Sequence, residues 1–231
     1  MKALFKLVVA VIITAMLIFC NNTDVKEGST VPFRLFVEYS FRAEEEKDFV
    51  TGLFQFRING IENTPSLLRA PATVEMDGEA LGVDSAGLSG SFYEIHKPLS
   101  AFPGEHTIVL TTATNEKIRE KFFFSPFHLS INNDTLLTRD QMLLNFDGLS
   151  DGEIVRIVMT DTSFSSNGIN EVDTVRNNQV DLRPKLTGNI NNGPVVLQIL
   201  KEEERLIKGT ASVGGKISIS YSLKREFDLI D

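Results

Sequence analysis

The chain has 231 residues, enough for one large domain or two of about 100 residues each. Its 31 acidic and 23 basic residues give a formal net charge of −8 at pH 7, which argues against nucleic acid as a partner because phosphates require a basic surface. With a single cysteine the chain cannot form an internal disulfide, so buried apolar side chains, including those of 17 phenylalanines, must hold the core.

The first predicted element is an uncharged apolar segment at residues 7–19, which follows Lys2 and Lys6. A helix needs about 20 apolar residues to cross a bilayer, so this segment is too short to span one and has the length of a signal-peptide core. No pair of small residues marks an ordinary cleavage site after it. The segment ends instead in the sequence Leu-Ile-Phe-Cys at residues 17–20.

Leu17 and Cys20 resemble the lipobox of bacterial lipoproteins, in which the cysteine is acylated and becomes the mature N-terminus. Phe19 departs from this pattern, because the residue before the cysteine is usually small. The resemblance implies a signal peptide at 1–19, a lipidated N-terminus and tether at 20–30, and a lipid bilayer as a partner through the acylated Cys20. An uncleaved signal anchor with an incidental cysteine is the alternative interpretation.

The residue after the cysteine bears on which membrane holds the chain. The resemblance implies a Gram-negative cell envelope, where an aspartate at this position favours retention in the inner membrane. Asn21 stands there instead. We therefore expect a lipid anchor in the outer membrane, with the chain facing the periplasm or the cell surface.

After residue 30, apolar and polar residues alternate with a period of two, which predicts β-strands. Asp77-Gly78 and Pro103-Gly104 are typical turn sequences between them. The predicted strands of the first half are 33–41, 49–58, a hairpin over 72–81, 89–99, 104–112 and 117–124. Their succession resembles the architecture of immunoglobulin-like and fibronectin-type domains.

The same alternation predicts strands throughout the second half. The charged segment at 201–205 is predicted to form a hairpin between two of them, and the apolar residues near the C-terminus predict that it is tied into a sheet. The predicted strand segments are 128–131, 141–146, 153–161, 173–183 with a candidate turn at Asn177-Asn178, 193–202, 204–211 and 216–230.

These elements predict an all-β fold of two tandem immunoglobulin-like β-sandwich domains behind the signal and anchor segment. The first domain is expected at 31–125 and the second at 126–231. We place the boundary at Pro126, because proline cannot donate to a β-ladder and ends the preceding strand. Phe123 and Phe127, on either side of it, are candidates for the joint between the domains, although both fit an ordinary core as well.

Two sequence patterns are candidates for a catalytic or metal site, and the surrounding sequence argues against both. Residues 148–152 match Gly-x-Ser-x-Gly, but a nucleophilic Ser150 would need a following helix and a later histidine, and the last histidine is His128. The three histidines, His96, His106 and His128, stand singly on strand-like segments without the spacing of a metal site. The sequence therefore predicts no catalytic residue, no bound metal and no cofactor.

The loop at residues 162–171, which follows Asp161, is the candidate binding loop because it is long, polar and held between strands. Oxygen-bearing side chains recur at alternate positions there, but Val172 stands where a calcium loop of the EF-hand type needs glutamate. We predict a polar recognition loop between two strands. Its candidate binding residues are Asp161, Ser163, Ser165, Asn167 and Asn170.

The sequence predicts a non-enzymatic binding, scaffolding or assembly subunit whose partner is another envelope protein or a glycan. One alternative is a glycan-binding lipoprotein of a nutrient-uptake system, and another is a hydrolase that uses Ser150. The glycan alternative is weakened because the chain has no tryptophan and three tyrosines, of which Tyr39 and Tyr221 lie on the apolar faces of their strands.

Overall fold

Strands account for almost all of the regular structure in a computed structural model of the chain, which describes residues 34–86, 90–130, 135–163, 165–210 and 213–231. This confirms the predicted all-β fold class. Residues Phe33–Asp231 form one compact unit. The predicted signal peptide at 1–19 and the tether at 20–30, with Cys20, lie outside the described residues.

The strands of the first half follow the predicted boundaries closely, except for the strand at Val83–Ala86, which the sequence did not predict. They are β1 (Leu35–Glu44), β2 (Phe49–Ile58), β3 (Thr73–Met76), β4 (Glu79–Ala80), β5 (Val83–Ala86), β6 (Gly90–Pro98), β7 (Gly104–Thr111) and β8 (Lys117–Phe124). A 3₁₀ turn at Leu99–Ala101 joins β6 to β7. The predicted turn at Asp77-Gly78 joins β3 to β4, and both of its residues have positive φ, as such a turn requires.

The described residues of the second half also form mainly strands, with one short helix and one further 3₁₀ turn at Arg139–Gln141. The helix α1 covers Arg183–Leu186. The strands are β9 (His128–Leu129), β10 (Leu136–Thr138), β11 (Leu143–Asp147), β12 (Ile154–Asp161), β13 (Ile169–Thr174), β14 (Gln179–Asp181), β15 (Gly193–Ile207) and β16 (Val213–Ile230). The C-terminus is tied into a sheet, as predicted, because the end of β16 pairs with both β15 and β10.

A central sheet takes strands from both halves of the chain. Its order is β13-β12-β15-β16-β1-β2-β6-β5, with β10 beside the end of β16. The two halves meet where β1 and β16 pair in parallel, from Leu35 opposite Val213 to Glu44 opposite Ser222. Gly215 lies in this pairing, where a Cβ atom would come within 1.9 Å of the carbonyl oxygen of Val37.

Two smaller sheets cover the inner face of the central sheet, one in each half. The first has the order β4-β3-β7-β8, and the ring of Phe122 on β8 stacks on Phe41 of β1 at 4.2 Å. The second has the order β14-β11-β9, and Phe127 links Phe146 on β11 to Tyr221 on β16. Each half is therefore a two-layered sandwich, and the two sandwiches share the central sheet and one hydrophobic core.

The charged segment near residue 203 does not form the predicted hairpin. β15 runs without a break from Gly193 to Ile207 and pairs with β16 along its whole length. The predicted hairpin was wrong because consecutive charged residues favour a turn only where no neighbouring strand is available to pair with them. Here the carboxylates of Glu202 and Glu204 lie on the solvent side of the sheet, where a strand tolerates them.

The predicted boundary at Pro126 falls in the link between β8 and β9. On β8, Phe122 and Phe124 are buried together and Phe123 is exposed on the other side, as the alternation predicts. Phe127 is fully buried. The division into domains at 31–125 and 126–231 stays a prediction, and the pairing of β1 with β16 joins strands from both sides of it.

Candidate functional site

The outer face of the central sheet, which is turned away from the core, carries a groove of about 640 Å³. We call it the polar groove. It crosses β2, β1, β16 and β15, and small hydroxyl side chains are surrounded there by longer charged and polar ones. Its lining residues are Glu38, Ser40, Arg42, Leu53, Gln55, Leu200, Glu202, Glu203, Glu204, Lys216, Ser218, Ile219 and Ser220.

The alternation along β16 explains why small side chains form the floor of the polar groove. Ile217 and Tyr221 point into the core. Ser218 and Ser220 lie between them in the sequence, at the alternate positions, and therefore face outward. Neighbouring strands then set what surrounds these serines. Ser218 lies opposite Ser40 on one side and Glu204 on the other, while Ser220 lies between Arg42 and Glu202.

Most charges at one end of the polar groove are paired. Glu38 accepts a hydrogen bond of 2.6 Å from Arg57 and lies 3.4 Å from the ammonium group of Lys216. Lys216 also donates to Glu204 at 2.9 Å, and this hydrogen bond raises the pKa of Lys216 against the opposing effect of burial. Within the described part of the chain, Glu202 has no such partner, so its carboxylate is available to a ligand.

The predicted binding loop is held together by its own aspartate. One carboxylate oxygen of Asp161 accepts from the Ser163 amide and from the Ser166 hydroxyl, both at 2.7 Å. The other accepts from the amide of Asn191 at 2.6 Å. Ser163 and Ser165 are joined through their hydroxyl oxygens at 2.8 Å. The structure thus brings three of the predicted residues together, in bonds that shape the loop.

The remaining predicted residues lie at the edges of the loop. Asn170, on β13, accepts a hydrogen bond of 3.2 Å from Arg156, and Asn167 is exposed. A shallow groove of about 470 Å³ begins at Asp161 and Thr162 and continues over the outer face of the central sheet. The role of the loop in binding stays a prediction.

The electrostatics of Asp161 follow from its hydrogen bonds. Burial disfavours the ionised carboxylate, but the hydrogen bonds from Asn191, Ser166 and Ser163 outweigh it and hold the pKa of Asp161 below its ordinary value. The carboxylate is therefore ionised at neutral pH.

Ser150 lies in the turn between β11 and β12, where its amide donates to Glu153 at 2.6 Å. A strand follows it, so the turn lacks the strand-to-helix geometry of a nucleophile elbow. The histidines lie on separate elements, His106 bonded to Asp77 at 2.7 Å and His128 to Glu45 at 3.2 Å. In the ranges that the structure describes, no three or more His, Cys, Asp or Glu side chains are grouped so as to hold a metal ion.

None of the helices in the described ranges has the length and apolar character required to traverse a lipid bilayer. No protein-family model matches the chain, and a search of curated proteins returned no match. Among solved structures, the crystal structure of DIP-gamma IG1+IG2 aligns with 82% of this chain and 97% of its own length. The identity is 8% and the TM-score 0.25, so this likeness carries no argument about function.

Sequence reasoning missed the polar groove as a site. A signal was present in the sequence, because residues 217–222 alternate serine with isoleucine and tyrosine. That pattern indicates a strand with a small, polar outer face. It does not reveal which strands lie beside it, and the groove exists only because β1 and β15 flank β16.

Proposed function

We propose that this chain is a lipid-anchored, extracytoplasmic and non-enzymatic binding or scaffolding protein of a Gram-negative envelope. It recognises a partner through the polar groove. The observation that carries the proposal is the groove itself: hydroxyl groups at its floor, paired charges at one end and the carboxylate of Glu202 without a partner in the described residues. Such a surface offers hydrogen bonds and charges to a partner.

The lipid anchor is supported by the leader alone. The lipobox-like residues Leu17 and Cys20 end an apolar segment that is too short to span a bilayer. Two or more acyl chains on one cysteine hold a protein at a membrane stably, whereas one chain binds weakly. The anchor would leave the sandwiches outside the cytoplasm.

A protein partner is favoured over a glycan. Glycan-binding surfaces commonly stack exposed tyrosine or tryptophan on the sugar rings. This chain has no tryptophan, and its three tyrosines, Tyr39, Tyr93 and Tyr221, are all buried. The polar groove therefore lacks the aromatic platform that the glycan alternative needs.

The recognition surface can be tested by filling the groove. Full-length, C-terminally tagged protein is captured from solubilised envelope of its native host, and bound proteins are quantified by mass spectrometry. Ser220→Trp places a large ring on the groove floor, whereas Ser100→Trp adds the same ring in the exposed turn between β6 and β7. We expect a partner that is retained by the wild type and Ser100→Trp and lost from Ser220→Trp. Equal recovery by all three would contradict the proposal.

The anchor is tested by intact-mass measurement and fractionation. The wild-type protein is expected in the membrane fraction, with a mass that corresponds to a chain starting at an acylated Cys20. Cys20→Ser should release the protein into the soluble fraction or leave an uncleaved precursor. Unchanged processing and membrane retention of Cys20→Ser would argue against lipidation, without bearing on the groove.

A further inference from the structure

A third cavity, of about 290 Å³, lies where the two halves of the chain meet. We call it the junction pocket. It is formed by the end of β8 with Phe123 and Ser125, the β11–β12 turn with Ser150 and Glu153, and the neighbouring strands β15 and β16. This is close to the lower end of the volumes of ligand pockets, about 300 Å³, and is suited to a single chemical group or a short side chain.

Of the charged side chains that line the junction pocket, one carboxylate has no partner among the described residues. Glu153 accepts a hydrogen bond of 2.5 Å from Lys201 and a second one from the Ser150 amide. Burial opposes ionisation of Glu153, but these bonds prevail and lower its pKa. Glu203, two residues after Lys201 on β15, also lines the pocket, and no other described residue pairs with it. The pocket therefore has a net negative charge.

Two aromatic rings also line the junction pocket. Phe123 is 64% exposed, although it is a large apolar side chain. Tyr221 lines the pocket and is only 3% exposed, and its hydroxyl oxygen is buried without a hydrogen-bond partner among the described residues. Burial, with a smaller contribution from the charge of Glu45, raises the pKa of Tyr221 to about 12, so the phenol is neutral. A buried polar atom of this kind is ordinarily paired.

We propose that the junction pocket binds a cationic group, an alkylammonium or guanidinium, between the ring of Phe123 and the carboxylate of Glu203. An aromatic face attracts a cation through its quadrupole, and a nearby carboxylate attracts it as an ion pair, with a charge-assisted hydrogen bond where the cation carries an N–H. An anionic ligand would instead meet the unpaired charge of Glu203. The group can come from a lysine or arginine side chain of a partner protein or from a small quaternary amine.

The junction pocket is a different site from the polar groove, and the proposal depends on neither the groove nor the anchor. Glu203 also borders the polar groove, because both surfaces reach the edge of β15. Its neighbour Glu202 lines only the polar groove, since successive residues of a strand point to opposite faces. The control for Glu203→Gln is therefore Glu62→Gln, because Glu62 is exposed between β2 and β3 and lines none of the three cavities described above.

The test is a titration of the full chain, ¹⁵N-labelled and held in detergent micelles, followed by NMR. The probes are N-acetyl-arginine amide, N-acetyl-lysine amide and tetramethylammonium, with N-acetyl-citrulline amide as the uncharged counterpart of arginine. We expect saturable shifts of the amide signals near Phe123 and Tyr221 with at least one cationic probe and none with the citrulline compound. Preference for the amino-acid amides identifies a protein side chain as the source, and preference for tetramethylammonium identifies a small amine.

Glu203→Gln is expected to weaken binding of the cationic probe roughly fivefold or more, while Glu62→Gln leaves it unchanged. Phe123→Leu keeps an apolar side chain but removes the ring, and should also weaken binding. Equal binding of arginine and citrulline amides, equal effects of the two glutamate variants, or no saturable shift with any cation would each overturn the proposal.

Discussion

Asp161 shows at the scale of a single residue why a polar motif need not be a ligand site. Its carboxylate oxygens accept from the Ser163 amide, the Ser166 hydroxyl and the Asn191 amide. The alternating oxygens that suggest a binding loop in the sequence are therefore used in large part to build the loop. Local side-chain-to-backbone bonds of this kind are typical of aspartate and serine, so the motif alone does not distinguish the two roles.

We predict that Asp161→Asn lowers the free energy of unfolding by about 1–2 kcal/mol, the scale of hydrogen bonds to a partly exposed charged group. Asp228→Asn is the matched control, because Asp228 is exposed at the opposite end of the shallow groove. Urea unfolding, monitored by circular dichroism, measures the free energy of unfolding of both variants. A loss of stability as large in Asp228→Asn would contradict the assignment.

The same residue predicts part of the pH dependence. Because the folded-state pKa of Asp161 is lowered, its contribution to stability is present above the unfolded-state pKa of about 3.9 and is lost as the pH falls through the folded-state value. The wild type should therefore lose more stability than Asp161→Asn on going from neutral pH to below pH ~4. Parallel loss in the two proteins would show that Asp161 does not titrate as described.

At the scale of the element, Gly215 is the residue on which the pairing of β1 with β16 depends. A Cβ atom there would lie 1.9 Å from the carbonyl oxygen of Val37, which is backbone and cannot move aside without separating the strands. At Gly214, its neighbour, a Cβ atom would meet no other atom within 4 Å. The two glycines therefore form a natural pair of test and control positions.

We predict that Gly215→Ala destabilises the protein by about 3 kcal/mol or more, because it forces apart strands that join the two halves. Gly214→Ala should change the stability by no more than about 0.5 kcal/mol. Thermal unfolding by circular dichroism compares the variants, as the chain has no tryptophan for fluorescence. Similar melting temperatures for both variants would show that the close approach at Gly215 is not required.

Individual strands could be predicted well from the sequence, because alternation reports locally which side of a strand is buried. Phe122, Phe123 and Phe124 illustrate this, with the middle ring exposed and the outer two buried. The charged stretch of β15 could not be predicted, since its strand conformation depends on the partner β16. The parallel pairing of β1 with β16 was equally out of reach, because local patterns carry no information about register between distant segments.

At the scale of the whole molecule, the shared central sheet determines what can fold alone. A cut at the predicted boundary between 125 and 126 removes β16 from β1 and exposes the edge of β1 along its length. It also removes Tyr221, whose ring contacts Phe124 of the first half. The hydrophobic core is continuous across the cut.

We therefore predict that residues 31–125, expressed alone, do not form a stable fold. The fragment should give a poorly dispersed NMR spectrum and no cooperative thermal transition, whereas the full chain should show both dispersion and cooperative unfolding. A fragment with dispersed signals and its own melting transition would establish the first predicted domain as an independent unit.

The polar groove likewise depends on strands that are distant from one another in the sequence. The sequence marks the outer faces of the strands, and with them the serines of β16. Only the order β2-β1-β16-β15 places Gln55 and Arg42 on one side of these serines and Glu202 on the other. A surface assembled from both ends of the chain could not be predicted from any one segment.

The central claim is that the polar groove is the surface through which this protein binds its partner. It is tested most directly by photo-cross-linking in the native host, with benzoylphenylalanine placed at Gln55 in the groove or at the exposed Lys117 on β8. The account predicts a defined, light-dependent product from Gln55 that Lys117 does not give and that Ser220→Trp abolishes. The same products from both positions, or none from Gln55, would contradict it.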